Sequence, residues 1–105
     1  MPLFAIVAFD APGSKVKRAD YLTPHVEALV AMKNQNRLFA AGPLQESLND
    51  SAEHVGSILI LDFDSQIEAE EWFHNEPYFK AGVYQNVTIK PYFDAMDFIA
   101  SYKDS

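Results

Sequence analysis

The chain has 105 residues, 49% hydrophobic and 22% charged, a composition that fits one ordinary globular domain and excludes disorder or a second core. A formal charge of −7 lacks the basic field that nucleic acid or an anionic membrane requires, although a small anionic ligand in a local pocket stays open. The absence of cysteine removes disulfides, thiolate metal sites and cysteine nucleophiles.

In chain order, residues 3–10 read as a strand in which both alternating sets are apolar: Leu3, Ala5, Val7 and Phe9 against Phe4, Ile6 and Ala8. This run is too short to span a membrane and has no basic leader, so a cytoplasmic protein is expected. Ala11-Pro12-Gly13-Ser14 is a turn. A helix follows from about Ala19 to Asn36, with Leu22, Val26, Leu29 and Val30 on its apolar arc and His25 and Met32 toward one edge. Pro24 belongs in its first turns, which makes Thr23 a candidate N-cap.

Arg37 to Ala41 forms a second strand, stopped by Gly42-Pro43, and the polar stretch 44–55 reads as a surface loop. Ser57 to Asp64 is a third strand, Leu59, Leu61 and Phe63 facing one way and Ile58 and Ile60 the other. Ser65-Gln66-Ile67-Glu68 fits a capping box opening a helix to about Asn75, with Ala69, Trp72 and Phe73 buried and Ile67 off the stripe. Pro77 ends that helix and residues 78–82 connect to a last strand, Val83 to Tyr92. There Val83, Val87 and Ile89 alternate with Tyr84, Asn86, Thr88, Lys90 and Tyr92. The tail keeps Met96, Phe98, Ile99 and Tyr102, which suits packing on a second copy.

The result is a single α+β domain over residues 1–105, with a core of about 3–93 and a C-terminal extension from 94. Its order is βαββαβ, the ferredoxin-like arrangement of a four-stranded antiparallel sheet with two helices on one face. Helices cover only that face, while the strands are apolar on both. The open face therefore needs a partner, and a homodimer is the simplest cover.

Several landmarks resemble the YCII-related (YciI-like) family within the dimeric α/β barrel superfamily. They are Asp10-Ala11-Pro12-Gly13-Ser14, Arg18, His25, Arg37-Leu38, Ala41-Gly42-Pro43, Gly56-Ser57, Trp72, Pro77-Tyr78, Ala81-Gly82-Val83-Tyr84 and Lys90-Pro91. The order and spacing hold to about residue 93. The resemblance implies the fold, the dimer and a His–Asp site, in a family that includes a dehydrochlorinase of a chlorinated hydroxyquinol. The chain departs from the family pattern twice: Glu76 stands where an Asp precedes Pro-Tyr, and Leu22 where many members have Arg.

Asp10 and His25 are the candidate catalytic pair. A carboxylate holding one imidazole nitrogen leaves the other free to move a proton near neutral pH, which suits isomerase, lyase or dehydrohalogenase chemistry on a carbonyl or hydroxylated ring compound. The competing structural reading has Asp10 capping the turn and His25 packed at a helix edge. Ser57 is a candidate donor to substrate or a turn residue, and Arg18 an anion binder or a surface ion pair. Gly42 and Pro43 shape a pocket wall or simply end a strand, Glu76 replaces the family aspartate or caps a helix, and Tyr78 lines the site or the core. Histidines 54 and 74 look solvated and receive no role. No metal site or cofactor is expected: the histidine spacing lacks a zinc motif, and no phosphate-cradling loop or nucleophile elbow is present. A non-catalytic metabolite-binding dimer is the alternative from another class.

Overall fold

The computed structural model describes residues 2–100. Its elements are β1 (Leu3–Asp10), α1 (Ser14–Asp20), α2 (Leu22–Asn34), β2 (Leu38–Gln45), β3 (His54–Asp62), α3 (Gln66–His74), α4 (Pro77–Lys80) and β4 (Tyr84–Tyr92). The strands form one antiparallel sheet in the order β2-β3-β1-β4, with the helices on one face, the expected ferredoxin-like α+β arrangement.

The core lies between sheet and helices. Phe4, Ile6, Leu59 and Leu61 project from the central strands onto Met32 of α2 and onto Ala69 and Phe73 of α3, with Phe63 and Val83 closing the ends. Ser65 caps α3 by accepting from the Glu68 amide at 3.1 Å, and Ile67, off the apolar stripe, is exposed. On the opposite face Phe9, Ile58 and Tyr92 stay 48%, 38% and 39% exposed, so the two-faced apolar pattern of the strands does correspond to an uncovered face. In the tail, Asp94 accepts from the amides of Phe98, Ile99 and Ala100, while Phe93, Met96 and Phe98 are exposed. Tyr102 lies outside the described residues.

Four boundaries differ from expectation. The first helical region is two helices broken at Tyr21 (φ −109, ψ 12), not one from Ala19, and Tyr21 rather than Thr23 occupies the cap position. Pro24 supplies the reason: one continuous helix would direct its ring against the Asp20 carbonyl, whereas as third residue of α2 it needs no donor. β2 does not stop at Gly42-Pro43 but runs to Gln45, with Pro43 opposite Ser57. As an edge strand it tolerates a residue without an N–H, and the other edge, β4, likewise carries Pro91. The loop is accordingly shorter, and His54 opens β3. Pro77, expected only to end a helix, also starts the short α4.

Gly56 of β3 lies directly against the Ala8 backbone of β1. A Cβ there would lie 2.4 Å from the Ala8 carbonyl oxygen, whereas one at Gly42 meets nothing within 4 Å. Gly56→Ala should therefore cost about 1–3 kcal/mol, several degrees of Tm in a domain this size, with Gly42→Ala close to neutral by thermal denaturation.

Candidate active site

The site lies where α1, α2 and α4 meet the helix-covered ends of β1 and β3. Arg18 of α1 reaches Asp10, the last residue of β1, in a two-pronged pair: Nε donates to Oδ2 at 2.7 Å and Nη2 to Oδ1 at 2.9 Å. Nη2 also donates to the Gly56 carbonyl at 2.8 Å and to Ser57 Oγ at 3.1 Å, so one guanidinium bridges two strands. Burial opposes its charge, but the hydrogen bond and Coulomb attraction of Asp10 outweigh it and hold Arg18 above its ordinary pKa.

Tyr78 of α4 links this cluster to a second. Its hydroxyl donates to the Arg18 carbonyl at 2.8 Å, the Arg18 guanidinium carbon lies 5.2 Å from its ring centre, and the His25 ring stacks on it at 3.7 Å and 5°. Burial pushes its phenol above the ordinary value against the opposing pull of Arg18. His25 Nδ1 pairs with Glu76 Oε1, and the Glu76 carboxylate is fully buried. The other oxygen, Oε2, caps α4 by accepting from the amides of Tyr78 at 3.1 Å and Phe79 at 3.3 Å. A carboxylate on Nδ1 favours the tautomer protonated there and leaves the Nε2 lone pair free. The hydrogen bond of the ring to Glu76 is made through Nδ1, and His25 lines a cavity of about 250 Å³. The polar end of that cavity is His25, Arg18, Ser57 and Tyr78; Leu22, Val26 and Leu29 of α2 and Ala41, Gly42 and Pro43 of β2 wall the rest.

Asp10, Arg18, His25, Ser57, Glu76 and Tyr78 are thus gathered in one network, with Gly42 and Pro43 on the cavity wall. The pairing inside it is not the one expected. Asp10 does not orient His25, because both its oxygens are held by Arg18; Glu76 takes that place, and it also caps a helix. His54, given no role, lines the cavity as well.

Tyr84 was missed. Its hydroxyl meets Ser57 Oγ at 2.8 Å, and its ring is buried 5.9 Å from the Arg18 guanidinium carbon. Strict alternation assigns it to the open face with Asn86 and Thr88. The register shifts at Phe9/Asp10, however: Phe9 pairs with Asn86 but Asp10 with Tyr84, so Gln85 bulges and Tyr84 turns to the helix side. No feature of the sequence marks that bulge.

Among the described residues no three His, Cys, Asp or Glu side chains are grouped to hold a metal, and no helix is long and apolar enough to cross a membrane.

The strand order and one-sided helices define an α+β domain of the ferredoxin-like class, with a buried histidine–carboxylate pair beside a cavity. The chain belongs to the YCII-related domain family, whose pattern residues 2–93 match. It is 36% identical over 93 residues to protein YciI of Escherichia coli, covering 86% of this chain and 95% of that protein. An uncharacterized Haemophilus influenzae protein is 33% identical over 92 residues, covering 85% and 94%. Among solved structures, 5-chloro-2-hydroxyhydroquinone dehydrochlorinase from Burkholderia phenoliruptrix, in complex with 2,5-dihydroxybenzoquinone, superposes with a TM-score of 0.79 at 27% identity, covering 87% of this chain and 93% of that one.

Burial pushes the Tyr84 phenol from 10.0 to about 12. The unfolded chain releases this proton near pH 10 and the folded chain only near pH 12, so the stability that Tyr84 contributes is complete below pH 10 and lost as the pH rises toward 12. Denaturant titrations across that window should show a shallower alkaline loss for Tyr84→Phe than for the unaltered protein.

Proposed function

We propose that this chain is a small-molecule enzyme of the acid–base type, with His25 Nε2 as the proton-transferring atom and Glu76 as the carboxylate that orients it. The observation that carries this reading is the buried Glu76–His25 pair beside a largely apolar cavity. Nε2 takes a proton from a carbon next to a ring carbonyl, and the electron pair moves onto that oxygen. Returning the proton elsewhere isomerises the ring; loss of an anionic leaving group from the adjacent carbon completes an elimination. Likeness to a dehydrochlorinase supports a hydroxylated or carbonyl ring compound as the substrate class and isomerase or lyase as the reaction class. In this reading Asp10 acts through Arg18: it fixes the guanidinium that, with Ser57, faces the ligand's oxygen.

A panel of hydroxylated and halogenated ring compounds supplies the test. With a turned-over compound in hand, His25→Gln should lower kcat by about 10²–10⁴-fold with little change in Tm. Glu76→Gln should lower it by about 10–10²-fold. Full activity in a folded His25→Gln protein would end the proposal, and saturable binding with no turnover by the unaltered protein would identify a metabolite-binding module instead.

We further propose that the working unit is a homodimer formed through the open sheet face, where Val7, Phe9 and Ile58 offer adjacent apolar side chains on β1 and β3. Light scattering should give the mass of two chains at micromolar concentration, and Phe9→Lys with Ile58→Lys should give the mass of one. A single-chain mass for the unaltered protein defeats this part.

A further inference from the structure

We propose that Tyr84 is a positioning residue which, by fixing the direction of the Ser57 hydroxyl, makes the polar end of the cavity a seat for an oxyanion, so that the site takes ring compounds carrying an ionised hydroxyl or enolate oxygen. This rests on the reading of the cavity as a small-molecule site and adds to it which end of the ligand is recognised, and in what charge state.

The argument is a count of donors and acceptors. Ser57 Oγ has one proton to give and two lone pairs to receive. One lone pair is taken by Arg18 Nη2, a group that can only donate. The contact with Tyr84 has two possible senses. If Ser57 donated to Tyr84, the phenol proton would be left in a buried place with no other protein acceptor among the described residues, a cost that buried hydroxyls avoid. With Tyr84 as the donor, both lone pairs of Ser57 are filled and its proton has to point away from both partners. Ser57 belongs to the cavity lining, so that proton is available to a ligand.

A second donor stands beside it. Nε and Nη2 of Arg18 are engaged by Asp10, Gly56 and Ser57, Nη1 is engaged in none of these bonds, and Arg18 lines this cavity as well as the adjoining one beside Asp10 and Ser14. The hydroxyl of Ser57 and Nη1 of Arg18 therefore present donors, one of them cationic, from adjacent side chains, the combination that stabilises a localised negative oxygen. No carboxylate among the described residues lines this cavity to repel such an oxygen: Asp10 lies behind the guanidinium and Glu76 behind the imidazole. The proton moved by His25 and the charge it leaves behind are thus served by different side chains around one small space.

The test uses 2,5-dihydroxybenzoquinone as the ionisable probe and its dimethyl ether as a neutral ring of the same skeleton, read by visible absorbance and calorimetry. The unaltered protein should bind the hydroxylated ring in its ionised form and prefer it to the ether. Ser57→Ala should weaken the hydroxylated ring by about tenfold or more, and Tyr84→Phe by about threefold to tenfold, with the ether nearly unchanged; Ser57→Thr should restore the preference. A merely structural role for Tyr84 would weaken both probes alike. Equal affinity for the hydroxylated ring in folded unaltered and Tyr84→Phe proteins, no preference over the ether, or no binding of the probe each overturns the proposal. His25→Gln separates the two readings. It should keep the probe preference while losing turnover, so the oxyanion seat can fail with acid–base catalysis intact, and the reverse.

Discussion

A carboxylate with no exposed surface cannot be left without partners, and Glu76 is held in that condition by the geometry around it. One oxygen closes the N-terminus of α4 and the other holds the imidazole of α2, so a local capping contact and a contact between residues 51 positions apart share a single side chain. The rest of the site follows from this arrangement. With α4 placed, the Tyr78 ring lies flat against His25 and its hydroxyl reaches the Arg18 carbonyl, which joins the end of α1 to the same assembly. The extra methylene of glutamate relative to aspartate is accommodated while the carboxylate still performs both tasks. At the other departure named from the sequence, Leu22 adds an apolar side chain to the cavity wall.

Two carboxylates with partners of different kind stand side by side. Arg18 and Asp10 are matched fork to carboxylate, and Arg18 also ties β1 to β3 through Gly56 and Ser57, a fixed piece of framework. His25 and Glu76 differ in that they join α2 to the start of α4 rather than strand to strand, with a carboxylate that has no exposed surface. Tyr78 stands between the two pairs, with the guanidinium over its ring and the imidazole stacked on it.

The architecture was legible because its punctuation is local: the Pro-Gly turn, the capping serine and the alternating strands act within a few residues of where they stand. Doubly apolar strands 3–10 and 57–63 also pointed correctly to an uncovered sheet face. Most of the residues that build the site were legible too, but their partners were not. Asp10 and His25 are close in sequence, which made them natural candidates for each other, whereas the actual partner of His25 comes from the second crossover and is brought near only by tertiary packing. Tyr84 stayed hidden for a different reason. Alternation determines facing only while the register is unbroken, and one bulged residue, Gln85, reverses it. Pro24 reads as a first-turn residue of one helix and Pro43 as the stop of a strand, yet Pro24 separates two helices and Pro43 interrupts nothing on an outer strand.

The prolines on the two outer strands bear on how copies of this chain can meet. Pro43 in β2 and Pro91 in β4 each remove a donor from the row of backbone groups that would greet an incoming strand. Growth by strand addition is open-ended, since every new copy exposes another edge, and it leads toward fibres. Contact through the broad face of a sheet is self-complementary and uses itself up once two copies have met. A chain with blunted edges and one bare face is thus biased toward assemblies of finite size, a safeguard against polymerisation written into two residues far from the chemistry.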